Sequence, residues 1–476
     1  MRSEYMQMSL SDIYNDVFSS MQERKSKLIA LLENHIDLDK YIPASFSYRF
    51  YKNCGRNHIY HLKSLLWFLI LKKLFGLPHF SQIITILNCS EELRLFCGFN
   101  KVPDLSQITR FCLNYCDDIS VMFDRLVDIT APICKEINSK KSKYLLFDTT
   151  GIEVKVSENN PKFLNSKLKE CKSFSKSNPS SNPYTAVYNR LPDHSQANPN
   201  VKQQYLNGHY CYALKAAFIT DGSGIIRHIS LFDNDFKKAH PDVVIPKSDN
   251  PDSDKEIGDS SSLKPVLSDF FAAHRNLKFS TFIGDAAFDS YDNYTLLHET
   301  FNLERVAIPL NQRNSKKSSL NFDENGVPVC PVSGDKFTFL GECKGKNRSL
   351  RFKWVCPKSI RVKGSSNRIC VCDSPCTDSG YGKCTYTYPH KNFRLYPGIP
   401  RGTEHWDNLY KHRVYVERTI CLFKDVFASV DFTSVNTRSI KADLFLSGIT
   451  QLLGVILAKA IHKLTLCKSV RKLLAA

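Results

Sequence analysis

Apolar runs alternate with helix-start and helix-stop residues along the first 140 positions of the chain. Ser9 begins one such run, and another extends from His61 to Gly76–Pro78, where glycine and proline end a helix. Side chains in Pro103–Ser106 can cap the helix that follows. The pattern therefore predicts a helical region over residues 1–140.

The pattern changes after residue 140, where β-branched and aromatic residues gather in short runs bounded by turn residues. Asp221–Gly224 separates two of these runs as a hairpin turn. Three predicted strands precede a helix over Leu263–His274, and a fourth strand follows it. This order predicts an α/β fold with a mixed sheet flanked by helices. The predicted strands are Lys143–Val156, Tyr210–Thr220, Ile225–Phe232 and Phe279–Gly284.

Three further stretches interrupt this pattern. Residues 172–204 and 246–262 are poor in apolar side chains, which predicts linkers or surface loops that bury little. Residues 311–400 hold seven cysteines and a basic run. This stretch predicts a small β-rich domain inserted between the last strand of the sheet and a helix over residues 405–427.

Composition narrows the class of protein. The 476 residues are 42% hydrophobic, which excludes a wholly disordered chain. The net charge of +18 predicts a polyanionic partner, with nucleic acid ahead of an anionic membrane. With this charge, the helices of residues 1–140 fit a helix-turn-helix DNA reader and a generic helical bundle equally well, because the helix-turn-helix pattern is degenerate.

Cysteine content and apolar run length bear on the compartment. The apolar runs Leu65–Leu71 and Leu452–Ala458 are too short to span a membrane and predict buried helices. The N-terminal residues lack the apolar core of a signal peptide. We therefore expect a cytoplasmic protein, whose 17 cysteines are reduced thiols or metal ligands rather than a disulfide set.

The helix over residues 405–427 carries a second, polar line beside its apolar stripe. At 100° per residue, the four residues of this polar line fall within an arc of about 60° around the helix axis. An amphipathic helix with ordinary surface ion pairs would show the same pattern. The line consists of Tyr410, Arg413, Glu417 and Lys424.

Two aspartates elsewhere in the sequence favour a catalytic role for this helix over ordinary surface ion pairs. Asp148 and Asp285 each end an apolar strand, where an α/β sheet places its ligands. Carboxylate oxygens there can bind Mg²⁺. Together with Glu417 they could hold two metal ions on either side of a phosphodiester.

In these residues the chain resembles the DDE transposases of bacterial insertion sequences, specifically the group with the signature Y-x2-R-x3-E-x6-K. Tyr410, Arg413, Glu417 and Lys424 match all four signature positions. The N-terminal part is similar to the helical domain of such transposases at Glu92–Gly98 and Pro103–Phe111. The resemblance covers most of residues 55–465 and is weak across 157–205 and 311–400. It implies a ribonuclease H-like catalytic core.

The resemblance also implies a role for each matching residue. Asp148, Asp285 and Glu417 would be the catalytic triad and would bind two Mg²⁺ or Mn²⁺ ions. Arg413 and Lys424 would contact phosphates of the transposon end, and Tyr410 would position the same strand.

The implied activity is binding of the insertion-sequence ends, metal-dependent cleavage and strand transfer into target DNA. The implied partner is double-stranded DNA, held by a homodimer in the bacterial cytoplasm at the nucleoid. Two alternatives stay open: a catalytically inactive, transposase-derived DNA-binding protein, and a ribonuclease H-like nuclease that cuts without joining.

The cysteine-rich insertion could hold a structural Zn²⁺ ion. The candidate ligands are Cys356, Cys370, Cys372 and Cys376, but no pair among them has the tight C-x2-C spacing. Zinc and a set of reduced thiols therefore both stay open. Trp354 of the insertion is expected in a core, although an aromatic residue there could also stack on a flipped base.

These features predict five segments along the chain. They are a helical N-terminal DNA-binding domain (1–140), the first part of the ribonuclease H-like core (141–310), the inserted basic, cysteine-rich subdomain (311–400), the last part of the core with the catalytic helix (401–465), and a C-terminal tail (466–476).

Overall fold

The computed structural model describes residues 9–11, 14, 25–52, 58–178, 182–206, 209–245, 256–311, 322–345, 349–429, 434–469 and 472–473. The chain divides into two compact units. The first unit, called here the helical unit, combines Met1–Ile137, Val154–Val156 and Cys421–Ala476. The second, the sheet unit, combines Asn138–Glu153 and Ser157–Ile420.

Helices and strands follow the order that the sequence pattern predicts, with additions. The described helices are α1 (Lys27–His35), α2 (Ala44–Phe50), α3 (Leu62–Leu74), α4 (Phe80–Cys89), α5 (Glu91–Phe96), α6 (Leu105–Asn114), α7 (Cys116–Ile137), α8 (Pro161–Ser177), α9 (Pro183–Arg190), α10 (Asn234–Ala239), α11 (Asp259–Ala273), α12 (Tyr291–Thr295), α13 (Glu404–Tyr410), α14 (Val414–Cys421) and α15 (Thr437–Ala460). The described strands are β1 (Tyr144–Glu153), β2 (Lys202–Leu206), β3 (His209–Asp221), β4 (Ile226–Leu231), β5 (Thr281–Ile283), β6 (Arg305–Ala307), β7 (Thr338–Cys343), β8 (Arg351–Val355), β9 (Ser359–Arg361), β10 (Arg368–Cys370) and β11 (Cys384–Thr387).

The helical N-terminal region is confirmed. Helix α3 ends just before Gly76, which has a φ of 65°. Asp104 caps α6, since its side chain accepts the Gln107 N–H while the Gln107 side chain bonds back to the Asp104 N–H. Of the helix predicted to start at Ser9, residues 10, 11 and 14 are helical and the rest lies outside the described residues.

The longest helix, α15, is apolar on nearly every side. By length and composition it could cross a membrane, but 94% of its most apolar window is buried inside the protein. A helix that is hydrophobic all round is typical of a protein core. Helix α3 shows the same composition and burial, as the run Leu65–Leu71 predicts.

A charged cluster lies within this apolar core of the helical unit. Lys72 and Lys73 of α3 both pair with Asp443 of α15, and Lys72 Nζ lies 3.2 Å from Asp443 Oδ1. Lys73 Nζ also donates to the carbonyl of Phe427 at 3.1 Å and to Ser429 Oγ at 2.9 Å. Every charge in this cluster therefore has a protein partner, which is what burial of a charge requires.

The sheet unit holds a mixed sheet, as the sequence predicts. Its strand order is β2-β3-β1-β5-β6, and β4 pairs with β3. Strand β3 is antiparallel to β1, β2 and β4, whereas β5 runs parallel to both β1 and β6. The hairpin turn predicted at Asp221–Gly224 joins β3 to β4.

The prediction of a loop over residues 172–204 is wrong in part. Much of this stretch belongs to helices α8 and α9 and strand β2. Asn160 caps α8 and Pro161 occupies its first turn, so local signals start this helix although its composition is polar. Cys171 is buried against the rest of the unit. Of the second predicted loop, residues 246–255 lie outside the described residues.

The insertion is built from short strands, as expected. Strands β7, β8 and β11 form one small sheet, and β9 pairs with β10. Trp354 is 2% exposed within the core of this sheet, and its Nε1 donates to Thr387 Oγ1 at 2.9 Å. Trp354 is therefore a core residue and not an exposed platform for a base.

The helix predicted over residues 405–427 is three helical pieces rather than one. A 3₁₀ turn over Lys411–Arg413 connects α13 to α14, and a π-helical turn over Leu422–Val426 follows α14. Beside the 3₁₀ turn, His412 Nδ1 lies 3.1 Å from the carbonyl oxygens of Asn408 and Leu409.

Candidate active site

Strand register brings the two predicted aspartates to neighbouring positions. Leu146 of β1 lies opposite Ile283 of the parallel strand β5. Asp148 and Asp285 each come two residues later, so both continue the same face of the two strands. The prediction that Asp148 ends its strand is wrong, because β1 continues to Glu153, whereas Asp285 does follow the end of β5. Neighbouring strands are about 4.8 Å apart, which sets the scale of the separation between these two positions.

Arg413 connects the second aspartate to the predicted glutamate. Its Nη2 lies 3.1 Å from Asp285 Oδ2 and its Nη1 lies 2.8 Å from Glu417 Oε1. The Asp285 and Glu417 side chains are 44% and 45% exposed, so both can still meet a ligand from solvent. The Nε of Arg413 is buried and has no hydrogen-bond partner among the described residues.

Asp148 is the most buried of the three acids. Burial raises the pKa of Asp148 to about 6, although Arg413 and the N–H of Thr149 pull it down. The charges of Asp285 and Glu417 raise it further, which shows that all three carboxylates share one electrostatic neighbourhood. We call Asp148, Asp285, Glu417 and Arg413 the carboxylate cluster; its charge is −2 when all four side chains are ionised.

Asp285 has two tasks at once. Its Oδ1 accepts the N–H of Ala286 at 2.6 Å and so caps the 3₁₀ turn Ala286–Phe288. Its Oδ2 accepts from Arg413. Asp285 therefore caps the turn that follows β5, and its second oxygen is still available to other partners.

The helix that carries Glu417 is fixed to the hairpin between β3 and β4. Thr419 Oγ1 donates to the carbonyl of Gly224 at 2.7 Å. Gly224 has a φ of 80°, and a Cβ there would lie 3.2 Å from Tyr415 O and Thr419 Oγ1. A side chain at position 224 would strain the turn and crowd α14. This close approach of α14 to the hairpin fixes the position of Glu417 relative to the sheet.

Two further predicted residues differ in what the structure says of them. Tyr410 belongs to the same neighbourhood, because burial raises its pKa while Arg413 lowers it and all three carboxylates raise it. Lys424 lies in the π-helical turn Leu422–Val426 of the helical unit. Its phosphate contact stays a prediction.

Sequence reasoning missed one pair that supports the site. Asp289 is buried and accepts two hydrogen bonds from Arg394, at 3.0 Å from Nε and 2.7 Å from Nη2. Asp289 also accepts the N–H of Asn311 at 2.7 Å. The loop after β5, which carries Asp285, is thereby tied to both ends of the insertion. In the sequence, the only sign of this pair is that a second aspartate follows Asp285 after four residues.

The side chains of the carboxylate cluster are suitable ligands for a divalent cation, but their present positions are not those of a formed metal site. Carboxylate oxygens are ligands for Mg²⁺, and the excess of negative charge favours a cation. In the part of the chain that the structure describes, however, no three His, Cys, Asp or Glu side chains are close enough to hold a metal ion together. Arg413 stands between Asp285 and Glu417, so binding of a cation requires this side chain to give up its pairs.

The predicted zinc ligands lie in the insertion as free thiols. Cys356 is buried, and Cys370, Cys372 and Cys376 are partly exposed. The predicted ligand set omits Cys330, whose sulfur atom lies 3.7 Å from the sulfur atom of Cys376.

Comparison with known proteins gives one match. Residues 16–113 match a transposase domain family (DUF772). Neither curated proteins nor solved structures give a match to the chain. The similarity supports a transposase role and concerns the N-terminal helical region, which does not include the carboxylate cluster.

Proposed function

We propose that this chain is a DDE transposase, which binds the ends of its own mobile element, cuts them and joins them to target DNA. One observation carries the proposal: an aspartate within β1, an aspartate just after β5 and a helix glutamate form one cluster, with an arginine between them. The transposase domain match at residues 16–113 supports the same function independently.

The sheet supports a ribonuclease H-like core for this activity. Three antiparallel strands, β4, β3 and β1, are followed by two short parallel strands, β5 and β6, and β1 lies in the middle. This is the strand arrangement expected of a ribonuclease H-like fold. The acids come from the central strand, its parallel neighbour and a later helix, where such a core would place its catalytic carboxylates.

Each residue of the cluster has a role in this proposal. Asp148, Asp285 and Glu417 would hold two Mg²⁺ or Mn²⁺ ions. Such ions would activate the attacking oxygen and stabilise the charge on the leaving oxygen. Arg413 would turn from its carboxylate partners to a phosphate, for which it already has an unpaired Nε–H donor. Tyr410 and Lys424 would hold the same DNA strand.

The reaction needs no covalent link between protein and DNA. A water oxygen attacks the scissile phosphorus, the bond to the 3′ oxygen breaks, and the element ends in a free 3′-hydroxyl. That hydroxyl then attacks a phosphodiester of the target, and one bond forms as another breaks. The second step conserves the number of phosphodiesters, so it needs no external energy source.

The test is a reaction of the full chain with three components. They are linear DNA that carries the sequences flanking its gene, Mg²⁺ and a supercoiled plasmid. We expect joined products with the wild-type chain and with Asp407→Asn, which removes an exposed carboxylate of α13 outside the cluster. We expect none with Asp285→Asn. Cut ends without joined products would instead indicate a nuclease, and a band shift without cutting would indicate a DNA-binding protein; either result overturns the proposal.

A further inference from the structure

Two turns of the insertion share the sequence Cys-Pro-x-Ser. They are Cys330–Ser333 and Cys356–Ser359. In the first turn the Gly334 N–H returns to the Cys330 carbonyl at 2.9 Å, and in the second the Ser359 N–H returns to the Cys356 carbonyl at 2.9 Å. Both turns therefore fold back on their own cysteine, so each cysteine is the first residue of a tight turn.

The thiols of both turns lie in one apolar core. Cys330 and Cys356 are buried there together with Phe352 and Trp354, and Cys376 packs against the same core. The cysteine side chains of two separate turns and of a third stretch of chain are therefore neighbours, and in its thiolate form cysteine binds metals.

The thiols from separate parts of the insertion meet here. Cys330 Sγ lies 3.7 Å from Cys376 Sγ. Four sulfurs at about 2.3 Å around a tetrahedral zinc ion would lie about 3.8 Å from one another, whereas a disulfide holds its sulfurs about 2.0 Å apart. Cys370 lies opposite Ser359, the last residue of the second turn, in the β9–β10 pair. A single small region thus collects thiols from three stretches of chain.

We propose that the insertion binds one structural Zn²⁺ ion through Cys330, Cys356 and Cys376, with the fourth thiolate from the pair Cys370 and Cys372. This site is separate from the carboxylate cluster and does not depend on the proposed function. It differs from the ligand set predicted from spacing by including Cys330. The two Cys-Pro-x-Ser turns each supply one ligand rather than the two of a C-x2-C knuckle.

Binding would draw the thiolates together from their present positions, since no three of the described His, Cys, Asp or Glu side chains yet surround one point. The gain in stability would be substantial for a domain of this size. Its core is small, with only a few buried aromatic residues such as Phe352 and Trp354. Small domains with limited cores commonly depend on a metal or a disulfide.

The test is elemental analysis of the full chain, expressed with added zinc and purified without chelator. We expect about one zinc per chain in the wild type and less than about a fifth of that in Cys330→Ser, Cys356→Ser and Cys376→Ser. Cys343→Ser is the matched control, because Cys343 pairs with Arg351 at the opposite end of the β7–β8 ladder from Val355 and should leave the zinc content unchanged. Of Cys370→Ser and Cys372→Ser, only one should lose the metal.

Two results would overturn the proposal: wild-type zinc well below one per chain, or equal zinc loss in Cys343→Ser and Cys376→Ser. Substitution of Co²⁺ keeps the test decisive where a serine variant fails to fold. The wild-type chain should then show the intense visible bands of tetrahedral cobalt and thiolate-to-metal absorption. A cobalt spectrum without thiolate absorption would contradict the proposal.

Discussion

Two charged clusters of this protein have opposite composition and surroundings. In the helical unit, two lysines and one aspartate are buried in an apolar core. In the sheet unit, three carboxylates and one arginine lie at a strand edge, with Asp285 and Glu417 nearly half exposed. The first cluster is satisfied by protein groups, since Lys73 alone contacts Asp443, Ser429 and the Phe427 carbonyl. The second keeps an excess of negative charge that the described residues do not neutralise.

The difference separates charges that are paired inside a core from charges that, under the proposed function, take part in the reaction. Burial lowers the pKa of Lys73 to about 7, although Asp443 raises it. Loss of the Lys73 proton would therefore remove the excess positive charge of the buried cluster. In the carboxylate cluster, the raised pKa of Asp148 favours its protonated form, which reduces the excess negative charge of the cluster. A divalent cation would do the same and return Asp148 to its ionised form. Variants in the two clusters should therefore fail in different assays.

The largest effect is expected from removal of a cluster carboxylate. Asp148→Asn, Asp285→Asn and Glu417→Gln should each slow DNA cleavage on the order of a thousandfold or more, because each removes charge aimed at the transition state. DNA binding should change little, since it draws on Lys and Arg. Cleavage kinetics and band-shift titrations of the same preparations measure both. A variant that cuts at near the wild-type rate would remove its residue from the triad.

The aspartate of the buried cluster should show the reverse behaviour. Asp443→Asn leaves Lys72 and Lys73 without a counter-charge in the core, and we expect it to lower the free energy of unfolding by about 3–5 kcal/mol. Asp285→Asn, in an exposed pair, should change it by less than about 1 kcal/mol. Urea unfolding at neutral pH compares the two. Equal losses would mean that the clusters do not differ in the way described.

Replacement of Arg413 tests whether the cluster positions a phosphate. Arg413→Ala should weaken DNA binding modestly, reduce the salt slope by about one unit and slow cleavage on the order of a hundredfold. Arg418 is the matched control, since it lies one residue after Glu417 and its guanidinium packs 5.7 Å from the Tyr415 ring centroid. An equally damaged Arg418→Ala would mean that α14 does not present the face described.

The smallest effect concerns the proton on Asp148. A carboxyl whose pKa rises on folding, here to about 6, holds its proton more tightly in the folded chain. Its stabilising contribution is therefore present at low pH and is lost as pH rises from about 4 through about 6, on the order of 3 kcal/mol. Without divalent metal, wild type should lose this stability relative to Asp148→Asn, and saturating Mg²⁺ should restore it. A wild-type minus variant difference that is flat across this pH range would contradict the assignment.

Much of the fold was predictable because its signals are local. The Asp104 cap, the turn at Asp221–Gly224 and the position of Asp285 after a strand are all visible in short stretches of sequence. Composition and periodicity did not reveal other features. Helix α8 is polar in composition, and it begins at a local cap, Asn160, with Cys171 as its one buried residue. The 3₁₀ turn at Lys411–Arg413, where the His412 ring contacts the carbonyl oxygens of Asn408 and Leu409, interrupts a helix that periodicity predicts to be continuous.

The same reasoning explains what the sequence missed at the two sites. Arg413 matches a spacing pattern, but its simultaneous pairing with Asp285 and Glu417 depends on residues far apart in the chain. Cys330 lies 46 residues from Cys376, so no local spacing rule joins them. The repeated Cys-Pro-x-Ser turn was the one local sign of this thiol.

Binding of Mn²⁺ to the full chain tests the central claim that Asp148, Asp285 and Glu417 hold divalent cations. Mn²⁺ prefers oxygen ligands, so the thiols of the insertion should not compete for it. Electron paramagnetic resonance of free Mn²⁺ at neutral pH should show its loss on titration into the wild-type chain and into Asp407→Asn. With the triple variant Asp148→Asn, Asp285→Asn, Glu417→Gln, the free Mn²⁺ signal should equal that of protein-free buffer. A triple variant that binds as much Mn²⁺ as the wild type would contradict the account.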